Sequence, residues 1–390
     1  MIRIGAVVQR YGDGVVGGAE TLARDVCERL NASGCDVTVF TTTATDYITW
    51  ANEFAPGESV LRGVRILRFP VDRQRDIAAF NRFSELFFQS PARERDELLW
   101  IFEQGPQSPQ LLKALESEYR HYDAFLFFTY LYLPTVLGME KIDRPIALFP
   151  TAHDEPPLYL EIMRPVFSRP ERLFFLTGAE QELVKRVFGP RPGMELVRTG
   201  LDIPAGVDGE SFRRRHLIFG AYMLYAGRIE RGKGLEEIFE VYPSLRNRHL
   251  VDLVLLGRKL MEIPDLEGIR YAGFVSESEK LSAFRGAAFS LQPSALESLS
   301  ITTLESFGQG TPVLANQRSA ALSEHVNLSG GGLLYADSAE LESSAARLLS
   351  SPGLRFRMGE KGRGYVHTYF NWERVISAIR AAIVEMTGRQ

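Results

Sequence analysis

The stretch Ser294-Ala-Leu-Glu297-Ser-Leu-Ser-Ile-Thr-Thr-Leu-Glu305 sets two glutamates eight positions apart across a loop-to-helix junction. A helix rises about 1.5 Å per residue, so a mostly helical segment would hold the two backbones roughly 10 Å or more apart along the axis. A glycosidase brackets one bond with carboxyl groups about 5 to 9.5 Å apart, and this spacing does not suit that arrangement. It suits two separate parts of one long ligand. Upstream, the strand-like run AYMLYAG delivers Arg228 to its C-terminal end, and Lys233 follows at the mouth of the helical run GLEEIFEVY. A helix start offers unpaired N–H groups and a dipole favourable to anions. Arginine can fork two phosphate oxygens, and lysine adds a mobile point charge. Taken alone, Arg228 and Lys233 could equally be two solvated surface cations.

Two other glycine-rich motifs fail on inspection. Gly12-x-Gly14-x-x-Gly17 matches the dinucleotide fingerprint formally. That fingerprint needs a tight strand-to-helix turn and an acid after the second strand. Here Gln9, Arg10 and Tyr11 lengthen the loop, and the second strand ends in Thr41-Thr42-Thr43, with Asp36 before it. Gly227-x4-Gly232-Lys233 fits an ATPase phosphate loop until the next place, where Ser or Thr must hold magnesium and Gly234 stands instead.

The elements that must position these residues read as α/β. Short β-rich runs alternate with amphipathic stretches, the pattern of parallel sheets covered by helices. The first series of strands is IRIGAVV, DVTVFTT, VRILRFP, DAFLFFT, RPIALFP, RLFFLT and MELVRT. A second begins at AYMLYAG and continues through VDLVLLG, IRYAG, AAFSLQPS, TPVLAN and GGLLY. Between them GLDIPAGVDGESFRRR, rich in glycine and lacking periodicity, is read as the linker, which divides the chain into domains 1–204 and 205–390. Residues 71–120 read as a helical insertion on the first domain, and NWERVISAIRAAIVEM as an amphipathic closing helix.

Composition agrees with two domains and excludes several classes. At 390 residues and 45% hydrophobic content, the chain exceeds what one core usually holds. A net charge of −4 gives no polybasic signal for nucleic acid. The sequence begins with a strand and a glycine loop rather than a signal peptide, has no run of about 18 apolar residues, and has two cysteines, Cys27 and Cys35. A reducing cytoplasm is the expected location. Six arginines against two aspartates between Arg62 and Arg82 leave room for weak peripheral contact with an anionic membrane, although a solvated face explains them too. Phe127, Phe128, Tyr130 and Tyr132 read as core.

Gly227-Arg228-x4-Lys233-Gly234, then YAGFVSESEKLSAFRGAAFSLQPS, Glu297-x7-Glu305 and GTPVLA, together resemble the C-terminal half of retaining nucleotide-sugar glycosyltransferases of family 4. GGAE, TAHDEPP and FNWERV resemble the same family in the remainder of the chain. The resemblance implies the GT-B fold, two Rossmann-like domains facing across a cleft, with the acceptor on the first, the donor on the second, and the last helix crossing back to the first. By similarity, Glu305 holds the ribose hydroxyls, Glu297 reaches the transferred sugar, and Arg228 and Lys233 lie on the diphosphate. Val275 and residues Ser300, Ile301 and Thr302 line the donor, the last three through backbone N–H groups at a helix start. His153 contacts the donor sugar and stabilises charge at the anomeric centre, and Gly17 and Gly18 let backbone approach the phosphates. Many family members carry glycine where this chain has Ser298 and Ser300.

The reaction so implied moves a hexose-type sugar from a UDP- or GDP-linked donor to a hydroxyl of a glycan, lipid-linked or small-molecule acceptor, with retained configuration. The chain contains no Asp-x-Asp, so no metal or other cofactor is expected, and cations with a helix dipole would neutralise the leaving diphosphate. A nucleotide-sugar epimerase on the same fold, or a non-catalytic nucleotide-sugar-binding protein, are the competing readings.

Overall fold

The computed structural model describes residues 1–389, and these form two compact units. One comprises residues 1–198 and 373–390, the other 199–372.

The first unit is built on an eight-stranded sheet. Its elements run β1 (Arg3–Val7), α1 (Gly18–Ala32), β2 (Asp36–Thr42), β3 (Gly57–Leu61), β4 (Val64–Phe69), α2 (Ile77–Gln89), α3 (Glu97–Gln104), α4 (Pro109–Glu118) and β5 (Ala124–Phe128). There follow α5 (Leu133–Val136), β6 (Ile146–Phe149), α6 (Met163–Ser168), β7 (Arg172–Phe175), α7 (Gly178–Phe188) and β8 (Met194–Leu196). Strand order is β3-β4-β2-β1-β5-β6-β7-β8, parallel except for β3 against β4. Central strands such as β5, Ala-Phe-Leu-Phe-Phe, are apolar at every position because helices bury both faces. Phe127, Phe128 and Tyr130 accordingly lie in the core, and Tyr132 packs edge-on to Trp50.

Strand β3 is absent from the expected series. It pairs with β4 through a two-residue turn in which Arg62 and Gly63 have φ of 46° and 84°, the left-handed pair that suits strand twist. The insertion at 71–120 is helical as expected. Asp76 and Asp96 cap α2 and α3 by accepting from Ala79 and Leu99 N–H, and Trp100 packs among Phe80, Phe87 and Phe88. Most arginines of the 62–82 segment have internal partners. Arg62 reaches Asp13 and Glu28, Arg65 binds Glu58, Arg73 binds Glu103, and Arg68 lies over the Phe54 ring.

The second unit holds α8 (Gly209–Arg215), β9 (Tyr222–Ala226), α9 (Leu235–His249), β10 (Asp252–Leu256), β11 (Ile269–Gly273), α10 (Glu277–Gly286), β12 (Phe289–Gln292) and α11 (Ile301–Gly308). It continues through β13 (Val313–Asn316), α12 (Ala320–Ser329), β14 (Gly332–Tyr335), α13 (Ser338–Ser350) and α14 (Pro352–Tyr369). Its six strands are parallel in the order β11-β10-β9-β12-β13-β14. The linker is shorter than its composition suggests. Asp208 caps α8 by accepting from Glu210 N–H, and buried Phe212 anchors that helix in an apolar cluster with Tyr222 and Phe284.

The last helix, α15 (Trp372–Thr387), ends in the first unit. Val375, Ile376, Ile379 and Ile383 are its buried stripe. Arg380 donates to the Ser33 carbonyl, and Arg172 pairs with Glu385, at 2.7 and 2.9 Å. Glu385 is exposed, so burial of the isoleucines holds the helix more than these pairs do. Among the described residues no helix is long and apolar enough to cross a membrane.

Candidate active site

In an open parallel sheet, ligands bind beyond the carboxyl ends of the strands where chain order reverses. In the second unit that point lies between β9, followed outward by β10, and β12, followed outward by β13. Arg228 and Lys233 follow β9, and Glu297 follows β12, so the two candidate clusters flank the reversal.

The loop after β9 is shaped by glycine. Gly234 begins α9 with φ of 76°, and a Cβ there would sit 2.5 Å from the Pro293 carbonyl oxygen. That close approach brings the β9 loop against the β12 loop. Asn316, at the end of β13, donates to the same Pro293 oxygen at 3.0 Å. Lys233 then reaches across, its Nζ 2.8 Å from Glu297 Oε1. Arg228 lies 3.2 Å from Glu230, and its carbonyl accepts from the Tyr225 hydroxyl at 2.7 Å. Burial and the neighbouring Glu297 and Glu230 push the Tyr225 hydroxyl up, so it remains a neutral donor.

The glutamates occupy different settings. Glu297 sits in the loop before α11 and is partly exposed. Glu305 lies one turn inside α11 and is buried. Its Oε1 pairs with Lys280 Nζ at 2.8 Å, whereas its Oε2 is buried without a hydrogen-bond partner. Burial raises the Glu305 carboxyl above its ordinary range, with Lys280 opposing. Burial would lower the Lys280 ammonium, but Glu305 and Glu277 outweigh it and hold the lysine charged.

Ser300 shows what the departure from glycine entails. It adopts φ of 64°, the left-handed region where serine is strained and glycine is not. Its hydroxyl turns inward, 2.9 Å from that of Thr303 and 3.3 Å from Gln292 Oε1, which also accepts from Thr302. These side chains therefore brace the loop, and no side chain caps α11. Gln292 Nε2 is left buried without a partner. From below, buried His325 donates Nε2–H to the Leu299 carbonyl at 2.8 Å, and its Nδ1 lies 3.0 Å from the Tyr365 hydroxyl. Val275 lies between β11 and α10, beside Ser276, whose side chain caps α10.

The first unit carries the other candidates. Gly17 is extended, and a Cβ on it would meet Glu20 Oε2 at 2.1 Å, while Gly18 faces open space. Glu20 is buried, accepting from Gln9 Nε2 and Arg10 Nε at 2.6 and 3.0 Å. His153 follows β6. Glu180, at the start of α7, accepts from Ala152 and Leu176 N–H at 2.7 and 2.9 Å and so ties the His153 loop to the end of β7. His153 Nε2 lies 3.5 Å from Glu155 Oε1, an oxygen that also accepts from Tyr130 at 2.7 Å.

Sequence reasoning passed over Lys280, Gln292, His325, Glu20 and Glu180. All but the half-buried Lys280 are buried, each finds its partners through tertiary packing, and a lone polar letter in a helical or strand run gives no sign of that. Glu180 alone has a local signature, since Thr177 caps α7 at Glu180 N–H.

The comparisons follow this division. The model described as Glycosyl transferase 4-like domain matches residues 17–200, and that described as Glycosyl transferases group 1 matches 210–365. A glycogen synthase of Mycobacterium tuberculosis is 25% identical over 221 residues, 53% of this chain and 52% of that one. The chain thus spans about half the length of that relative. Among solved structures, sucrose-phosphate synthase from Thermosynechococcus elongatus superposes with TM-score 0.76 at 17% identity, covering all of both chains. HepE from Anabaena, solved with UDP-glucose, gives 0.73 at 14% identity over 99% of this chain and 100% of that one. Such identities speak for the fold alone. With two family models on successive parts of the sequence and two parallel-sheet units beneath them, the chain belongs to the family 4 glycosyltransferases of GT-B fold.

Proposed function

We propose that this protein is a retaining glycosyltransferase that moves a hexose-type sugar from a UDP- or GDP-linked donor to a hydroxyl of a glycan, lipid-linked or small-molecule glycoside acceptor. The observation that carries the reading is at the sheet reversal of the second unit. Lys233 meets Glu297 there, and Glu305 keeps one buried oxygen unpartnered. A buried carboxylate oxygen without a donor is costly, and a ribose hydroxyl would satisfy it. Arg228, Lys233 and the uncapped start of α11 with Ser300, Ile301 and Thr302 supply positive charge and N–H groups for a diphosphate. Glu297 is assigned to the sugar and Val275 to the donor's nucleotide end.

In this reading no metal takes part, and the departing phosphate itself helps take the acceptor proton as the acceptor attacks the same face. His153, oriented by Glu155 and the Glu180-anchored loop, is assigned to the donor sugar, and Gly17 and Gly18 to backbone approach to the phosphates. The reaction is assigned to the cytoplasm. Support also comes from HepE, whose structure was solved with UDP-glucose.

The test is thermal shift with UDP, GDP and ADP, followed by the matching nucleotide sugars with candidate acceptors. A ligand at about 100 times its Kd stabilises by about 2.7 kcal/mol. Product anomeric configuration, read by NMR coupling, reports retention. Donor isomerised without acceptor would replace transfer by epimerisation, and no response to any nucleoside diphosphate would remove the donor site.

A further inference from the structure

We infer that Lys280 is a positioning residue for the nucleotide: it clamps one oxygen of Glu305 and thereby presents the other to a ligand's paired hydroxyls. The inference rests on Glu305 being the ribose-binding carboxylate.

Three observations carry it. Lys280 Nζ lies 2.8 Å from both Glu305 Oε1 and Glu277 Oε2, so the ammonium bridges α10 and α11 with two of its protons. Glu305 is buried, with Oε2 lacking any partner, and Glu277 is exposed. The bridge thus fixes the rotamer of a carboxylate whose second oxygen is unused by the protein. Hydrogen bonds to an ionised acceptor are roughly twice as strong as neutral ones, so the charge state of Glu305 sets how well it holds hydroxyls.

The charged and titratable neighbours of Glu305 are few. From α10 come Lys280 and Glu277, which among the described residues are the two that act on it electrostatically. Arg285 of the same helix and Arg363 of α14 point instead at the Gln309 carbonyl, and Arg363 also pairs with Glu360. Strands β12 and β13, Phe-Ser-Leu-Gln and Val-Leu-Ala-Asn, contribute no titratable group. Among the described residues Lys280 is therefore the cation that opposes the burial of this carboxyl. Without it the carboxyl takes up a proton at higher pH, loses acceptor strength and turns freely.

The experiment is calorimetric titration of UDP and GDP into wild type, Lys280→Met, Lys280→Arg, Glu277→Gln and Glu305→Gln between pH 5.5 and 9. Titration of the nucleotide's own phosphate is common to all and cancels in the comparison. The expected result for Lys280→Met is binding about tenfold weaker at pH 7 and a pH midpoint for loss of affinity at least one unit higher. Lys280→Arg should restore both. Glu277→Gln changes only an exposed side chain, so folding is not at issue, and it should move the midpoint downward because a repelling carboxylate is gone. A Lys280→Met protein that keeps the wild-type affinity and midpoint, or an unmoved midpoint in Glu277→Gln, overturns the inference. If Glu305→Gln binds as wild type, or wild type binds neither nucleotide, the underlying donor reading is what has failed.

Discussion

Lys233 Nζ lies 2.8 Å from Glu297 Oε1, so the cation proposed for the diphosphate and the carboxylate proposed for the sugar are in contact before either meets a ligand. The pair joins the loop after β9 to the loop after β12. A charge poised where negative charge grows on the leaving group stabilises the transition state more than the ground state. Lys233→Ala should therefore lower kcat by roughly 100-fold or more, with a smaller effect on donor KM. Steady-state kinetics with the donor identified by thermal shift will show it, and an unchanged kcat would move the diphosphate site elsewhere.

The same account assigns neutralisation to protein cations and α11. Transfer should then survive excess EDTA at full rate. Loss of activity on chelation that magnesium or manganese restores would put a metal in the mechanism and remove the cation-only reading.

Gly234 offers a test of how the site is built. Its φ of 76° is strained for any side chain, and a Cβ would lie 2.5 Å from the Pro293 carbonyl oxygen. Gly232 shares the positive φ, at 88°, but faces open space. Gly234→Ala should cost about 2–4 kcal/mol and Gly232→Ala about 1 kcal/mol, the difference being the backbone collision. Urea denaturation of the two variants side by side checks this. Equal losses would mean that the β9 and β12 loops do not approach as closely as described.

Much of this site was legible because strands announce themselves. Six apolar runs of the second half match β9 to β14, and the end of the first of them places Arg228 and Lys233 at the carboxyl end of a strand, while the strand order that puts them beside Glu297 at the reversal is a tertiary fact. The hairpin strand β3 was not legible, since Gly-Glu-Ser-Val-Leu is half exposed and lacks an apolar run, although Arg62-Gly63 was a turn signal. Helix α8 was hidden inside a glycine-rich segment because its stability comes from one cap and one buried phenylalanine. The partners of the site residues were hidden for a different reason. Lys280 and His325 act across helix packing, and a sequence does not state which faces meet.

Stability against pH gives an independent reading of Glu305. Burial raises its carboxyl above the ordinary 4.5, Lys280 only partly opposing. A group whose folded pKa is raised contributes stability that is full below the unfolded value and is lost as pH climbs through the folded one. Glutamine does not titrate, and in the wild type Glu305 and Glu277 hold Lys280 charged. The melting temperature of Glu305→Gln relative to wild type should therefore rise as pH climbs above about 4.5. A difference that is flat or falls with pH would show the carboxyl is not raised.

The two glutamates face different parts of the proposed donor, so their variants must differ. Glu305, with one oxygen on Lys280 and one unpartnered, is proposed to hold only ribose, a contact alike in ground and transition states. Glu305→Gln should mainly raise donor KM and weaken free nucleoside diphosphate. Glu297 lies in the loop, tied to Lys233, and is proposed to face the sugar where positive charge develops. Glu297→Gln should cost kcat while nearly preserving diphosphate affinity, because that ligand carries no sugar. Loss of the contact to Lys233 acts in the same direction, since a freed ammonium binds phosphate no worse. Calorimetric titration of both variants with the diphosphate, alongside donor kinetics, separates the roles. If Glu297→Gln loses diphosphate affinity as badly as Glu305→Gln, the division of labour is wrong, and the contact with Lys233 must then be read as part of the phosphate site itself.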